Sequence, residues 1–226
     1  MTDTAIGNPR RAGRRPLTSK EQIVDSTLQL VDAEGLDAVS MRRLAHILGV
    51  RAPSIYNHVE TKEEILDAVA ASIVATVDVS GFHTCDWQEG LVRWARSYYE
   101  ALSAHPNMVP WFAKGPQRNE TSLSAADQVY GGLRDAGWPP SWATRIAAAA
   151  RHVIFGAAIG SFAGGFSDDP QMYGPRYPHL TDAHRLREHR ELVDRGSFEL
   201  GLRCLIAGLA DLYPEVTDAV ADSPRG

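Results

Sequence analysis

Apolar residues recur at helical spacing along most of this chain, and the breaks in that recurrence divide it into helices. Ile23, Thr27, Leu30 and Val31 share one face that ends at Gly35, and Ser19 with Gln22 has the spacing of a capping box. In residues 40–62, SMRRLAHILGVRAPSIYNHVETK, the apolar face is carried by Leu44, Ala45 and Leu48. Gly49 accepts positive φ, and Val50 and Ile55 resume the face beyond it. Ser40 suits an N-cap, and Pro53 suits the first turn of the second helix, where a missing N–H costs nothing. This is a helix-turn-helix pattern, in which the second helix enters the major groove of DNA. Thr61 caps a further helix with Ile65, Leu66, Val69, Ile73 and Val77 on one face and Gly81 as its expected stop.

Helical spacing returns at 87–105, briefly at 108–113, and again at 123–136 and 142–163. Gly164, Gly165, Pro170, Gly174, Pro175 and Pro178 predict a long loop over 164–181. A charged helix is expected at 182–193 and an apolar one at 197–213, with a loosely held tail after Pro214. No strand alternation is present, so the fold class is all-α.

A chain of 226 residues with 44% hydrophobic and 23% charged residues has an ordinary globular composition. Uninterrupted apolar runs such as 146–150 are too short to cross a bilayer, and the polar N-terminus lacks the pattern of a signal peptide. No membrane partner is expected, and the expected compartment is the cytoplasm. Cys85 and Cys204 fit two reduced, buried thiols better than a disulfide. The net charge of −5 argues against nucleic acid until it is divided along the chain. Residues 1–62 hold nine Lys/Arg and seven Asp/Glu, a balance of +2, whereas 63–226 hold fourteen and twenty-one, a balance of −7. Arg10, Arg11, Arg14, Arg15 and Lys20 oppose only Asp3 in the first twenty residues, which makes a basic arm ahead of a DNA-binding fold.

With the basic arm, the helix ending in AEGLDAVSMRRLA, the turn LGV and PSIYNHVETKEEIL running into the next helix, the first 78 residues resemble the DNA-binding domain of the TetR family of transcriptional regulators. The segments WQEGLVRWARSYYEALSAHP and LVDRGSFELGLRCLIAGLADL resemble the effector domain of the tetracycline repressors within that family. The resemblance implies an all-helical homodimer, usually a repressor, released from its operator by a small molecule. It divides the chain into a flexible basic arm (1–17), a three-helix helix-turn-helix domain (18–62), a linking helix (63–80) and a larger effector-binding and dimerisation domain (81–226). The histidines with which tetracycline repressors hold a metal-chelated drug have no counterpart in ATVDVS or MVPWFAKG. Tetracycline is therefore not the expected ligand, and neither a metal site nor a cofactor is expected.

Ile55 is needed for the core, so Arg51, Ala52, Pro53, Ser54, Tyr56, Asn57 and His58 are the outward candidates of the recognition segment. Ala52 and Pro53 can touch a thymine methyl, Asn57 can pair with adenine, and Arg51 can read guanine or bind phosphate. The resemblance adds phosphate contacts for Tyr56, His58 and Lys62 and a backbone or base contact for Arg42; Arg14 and Arg15 of the arm complete the set. Packing competes with contact for Tyr56, and a solvated face competes for Arg43. For the effector, aromatic enrichment in the C-terminal half nominates Trp94, Tyr98, Trp111, Phe112 and Phe155, with Arg151 and His152 as polar contacts. Gly156, Gly160 and Gly164, every fourth residue, together with 197–213, form the candidate dimer surface.

The expected function is a DNA-binding, ligand-responsive repressor of a palindromic operator. Its partners are double-stranded operator DNA, a small apolar or aromatic effector and a second copy of the chain. A constitutive DNA-binding regulator and a metal-dependent enzyme using His184 and Glu188 are the alternatives. Against an enzyme stand the absence of a Gly-rich phosphate loop, a nucleophile elbow or a Cys-x-x-Cys in the sequence, and the positive charge of Arg185, Arg187 and Arg190 around that pair.

Overall fold

A computed structural model describes residues 18–115 and 119–221, with side chains through 218. Arg14 and Arg15 lie outside the described residues. Among the described residues all regular structure is helical: α1 (Lys20–Glu34), α2 (Met41–Ile47), α3 (Ala52–Tyr56), α4 (Lys62–Val74), α5 (Gly81–Thr84), α6 (Trp87–Ala104), α7 (Val109–Phe112), α8 (Glu120–Asp135), α9 (Pro140–Ala158) and α10 (Arg190–Ala221).

The helix starts follow local chemistry. Ser19 and Gln22 close the capping box of α1 reciprocally, at 3.2 and 3.1 Å. Ser40 accepts from Arg43 N at the start of α2, and Thr61 from Glu64 N at the start of α4. Helices α1 to α4 bury Ile23, Leu44, Ile55 and Leu66 in one core. Gly49 between α2 and α3 has φ 65°, and since no atom would meet a Cβ there, conformation rather than space demands the glycine.

Three helix ends depart from the sequence reading. The linking helix stops at Val74, not near residue 80. Asp78 accepts from both the amide and the hydroxyl of Ser80, and its own amide donates to Ser97 of α6, so a local turn competes with helix continuation. Gly81 opens α5 instead of ending α4. A Cβ at Gly81 would lie 3.0 Å from Gly90 Cα of α6, so this glycine serves close packing.

The charged segment 182–193 is not a helix of its own. It holds one 3-10 turn at Ala183–Arg185, after which α10 runs for 32 residues from Arg190 to Ala221. His184 bonds back to the carbonyl of Thr181, and its four-residue spacing from Glu188 spans no common helix face. The loop preceding it, 159–189, carries packing of its own: Tyr173 is buried and its hydroxyl accepts from Ser167 N at 2.7 Å. Pro214 sits inside α10 rather than marking its end. The Tyr213 hydroxyl donates to the carbonyl of Ala136, and its ring stacks on Trp87 at 5.8 Å and meets Trp138 edgewise at 5.1 Å. Tertiary anchorage here outweighs the local break that a proline imposes.

Cys85 and Cys204 are free, but Cys85 is half-buried and Cys204 exposed, so the expected burial is not found. The segment 140–165 has a mean hydropathy of 1.5 over its most apolar window and is long enough to cross a bilayer by composition, which counting uninterrupted runs had excluded. In the fold it carries Arg145 and Arg151 and packs α9 against α6, α8 and α10.

Candidate DNA interface and effector cavity

The recognition helix α3 has little more than one turn, Ala52–Tyr56, and holds to the fold through Ile55, which is fully buried, and Val59 just beyond it. Arg51, Pro53, Tyr56 and Asn57 are exposed, while Ala52, Ser54 and His58 are half-buried. Tyr56 is 52% exposed, so it is not a packed aromatic. On α2, Arg43 is ion-paired with Glu34 of α1, whereas its neighbour Arg42 stays exposed. His46 is exposed as well. Lys62 is half-buried, and its ammonium donates to the carbonyl of Leu36 at 2.8 Å. That bond ties the start of α4 to the turn behind α1 and leaves two of the three ammonium donors over.

Helix α4 leaves this face directly. At 1.5 Å per residue its 13 residues span about 20 Å. Asp67 on its flank accepts from Trp111 Nε1 of α7 at 3.0 Å. A second junction joins the halves at the C-terminal end of α1. There His105 Nδ1 lies 2.9 Å from the Asp32 carboxylate, and the Asn107 amide donates to the carbonyls of Val31 and Asp32.

At its far end α4 enters the wall of a cavity of about 120 Å³. Val74 and Val77 line it from that end, Trp94 and Tyr98 from α6, Val129 from α8 and Arg151 from α9. Of the residues nominated for the effector, Trp94, Tyr98 and Arg151 meet at this cavity. Phe112 and Phe155 stand behind it, packing edgewise on Tyr98 at 6.4 and 5.7 Å. Trp111 turns to α4 with Lys114 over its ring, and His152 is exposed and off the lining. The α8 wall, including Ser122 and Tyr130, lies outside the residues nominated for the effector, because its face is built mainly of small side chains.

Burial pushes the Tyr98 phenol above its ordinary pKa, against the pull of the adjacent Arg151 guanidinium. No group of three or more His, Cys, Asp or Glu that could hold a metal occurs among the described residues.

Large apolar side chains are exposed just beyond the end of α9 and along α10. Ile159 and Phe162 are 66% and 68% exposed, and Leu192 and Leu200 project from α10 beside them. A Cβ at Gly156 or Gly160 would meet no atom within 4 Å, so these glycines make no close packing within the chain.

Comparison with known proteins agrees with this architecture. Residues 23–69 match the family described as bacterial regulatory proteins, tetR family, and residues 83–213 match the tetracyclin repressor-like C-terminal domain. The chain is 24% identical over 228 residues to an HTH-type transcriptional regulator of Saccharopolyspora erythraea, covering 92% of this chain and 95% of that protein. It is 28% identical to the class A tetracycline repressor from transposon 1721 of Escherichia coli, covering 83% and 88%. In structure it is similar to the Streptomyces coelicolor TetR family protein ActR in complex with (S)-DNPA, with a TM-score of 0.71, 26% identity and coverage of 87% and 98%. A structure of ActR with actinorhodin also matches, with a TM-score of 0.67, 25% identity and coverage of 86% and 97%. Two matched domains that together span the helix-turn-helix and the cavity-bearing half make the chain a member of the TetR family of DNA-binding transcriptional regulators.

Proposed function

We propose that this regulator is a ligand-responsive repressor that binds a palindromic operator as a homodimer and is released when a small apolar or aromatic effector fills the cavity. The observation that carries the reading is the course of α4, from the Thr61 cap beside the recognition helix to Val74 in the cavity wall. A ligand that prefers one position of that wall biases the attitude of the recognition helix, and it acts only to the extent of that preference. The similarity to ActR, solved in complex with (S)-DNPA and with actinorhodin, supports a small-molecule ligand. The cavity itself favours this reading over a constitutive regulator.

The DNA contacts proposed are the exposed Arg42, Arg51, Pro53, Tyr56 and Asn57, the flanking Ala52, Ser54 and His58, the spare donors of Lys62, and Arg14 and Arg15 of the arm. One recognition helix reads only a few base pairs, so specificity calls for two copies on a two-fold site. The exposed Ile159 and Phe162 after α9 and Leu192 and Leu200 on α10 suit that pairing as a four-helix interface, with Gly156 and Gly160 admitting a second chain closely. Such a repressor acts where the chromosome is, in the bacterial cytoplasm.

Fluorescence anisotropy with the DNA flanking its own gene tests the reading. Affinity should fall steeply with salt; Arg42→Ala should weaken binding and lower the salt slope by about one unit if its contact is to phosphate, whereas Tyr56→Ala should weaken binding and leave the slope unchanged. Binding that is absent on every flanking fragment, or insensitive to salt, overturns autoregulation through this face.

A further inference from the structure

Arg151 brings a guanidinium to the cavity wall with no carboxylate to balance it. Its Nη1 donates to the Tyr98 hydroxyl at 3.2 Å, and its head lies 4.6 Å from the ring centre of Phe155 and 5.7 Å from that of Tyr98. None of these partners is an anion, since burial keeps the Tyr98 phenol neutral through the physiological range. Arg43, Arg93, Arg96 and Arg195 all pair with glutamates, whereas Arg151 joins no ion pair among the described residues. The cavity lining holds no Asp or Glu. A guanidinium has five donors in a planar fork, and Tyr98 takes one of them. A cation drawn halfway out of water without a counter-ion is unfavourable, and an anion beside it recovers that free energy with charge-assisted hydrogen bonds.

We propose that the cavity binds a small aromatic acid whose carboxylate pairs with Arg151 while its ring lies against Trp94, Val74 and Val129. This rests on the reading of the cavity as the effector site and narrows it to one chemical class. A volume of about 120 Å³ sets the scale, because an apolar cavity of roughly 150 Å³ holds one benzene molecule. One ring is therefore the most that the cavity encloses, with its acid group at the half-buried Arg151 and any larger flat extension beyond the rim at the exposed Leu123. Carboxylate geometry matches the arginine fork in a way that a neutral amide does not, and an ammonium is repelled by it.

The test titrates the full chain with benzoate, benzamide and benzylammonium, three probes of one size and different charge. Binding is followed by calorimetry and release of flanking DNA by anisotropy. Benzoate should bind at least tenfold more tightly than either of the others. Arg151→Met should abolish that preference, with a melting curve by circular dichroism to check its fold. Arg151→Lys, which keeps the charge without the fork, should retain part of the preference and serves if the methionine variant does not fold. Equal binding of benzamide, benzoate binding unchanged in Arg151→Met, or no binding of any probe overturns the proposal. Arg151-dependent benzoate binding without DNA release leaves this proposal standing and sinks the ligand-responsive repressor. DNA release by benzamide as potent as by benzoate does the reverse.

Discussion

Gly131 and Gly132 are neighbours in the interior of α8, the helix that walls the cavity, and alanine at each places the same methyl in opposite surroundings. At Gly131 nothing lies within 4 Å of the added Cβ. At Gly132 the methyl would sit 2.5 Å from Phe82 Cβ, 2.7 Å from its Cδ1 and 2.9 Å from its Cγ. Both substitutions gain about 1 kcal/mol of helix propensity. Only the second meets overpacking, which costs about 1–3 kcal/mol. Because the nearest atom is the root of the Phe82 side chain, rotation about χ1 cannot relieve the contact, and α5 must move off α8. Gly131→Ala should therefore stabilise the chain by about 1 kcal/mol, and Gly132→Ala should fall below it by about 1–3 kcal/mol. For a chain of this size each kcal/mol is worth about 2–4 °C of melting temperature, well within the precision of a thermal scan. In a double-mutant cycle, Phe82→Gly loses at least the about 3–5 kcal/mol of packing that truncation to alanine costs, but it removes all three clashing atoms, the Cβ included, so adding Gly132→Ala should then cost nothing further. Equal stability of Gly131→Ala and Gly132→Ala, or strict additivity of Gly132→Ala with Phe82→Gly, would refute the close approach of α5 to α8.

Two further predictions concern stability. Thr61→Ala removes the side-chain bond to Glu64 N at 3.1 Å and should cost about 1 kcal/mol in urea denaturation, as should Ser40→Ala at α2; an unchanged midpoint in both would count against the caps. Glu199 of α10 accepts two hydrogen bonds from Arg96 of α6, from Nε at 2.9 Å and Nη2 at 2.8 Å, which hold its carboxyl below the ordinary range. A depressed carboxylate adds stability above its unfolded pKa of about 4.3 and loses it as pH falls through the folded value. Glu199→Gln should thus be less stable than the parent at pH 7, by under about 1 kcal/mol for so exposed a pair, and converge with it below pH ~4; a constant difference at all pH values would contradict the linkage.

Helix beginnings were legible in the sequence because their causes lie within four residues: Ser19, Ser40 and Thr61 each cap the helix expected of them. Helix endings were legible only where the cause is local, as at Gly35 after α1. Asp78 stops α4 partly through Ser97, nineteen residues away, and Tyr213 carries α10 through Pro214 by a bond to Ala136. The charged stretch before α10 has helical composition, yet its chain goes into turns and a 3-10 segment. Spacing and aromatic content brought Trp94, Tyr98 and Arg151 to notice, and these meet across the cavity. The α8 wall escaped because small residues bound a cavity by leaving room, and a sequence shows side chains more readily than space. Gly132 hid for the same reason, since its role is fixed by where Phe82 arrives.

The N-terminal unit is fastened to the larger half both along α4 and at the end of α1, where His105 and Asn107 grip Asp32 and Val31. A body pinned at two places keeps one easy motion, a roll about the line joining the pins. A displacement of Val74 by a ligand would then act as torque instead of translation, and the reading head would tilt instead of retreating. In a pair of such chains related by a two-fold axis the tilts are mirrored across the operator, so a small roll in each is counted twice in the phase between the heads and the turns of the double helix.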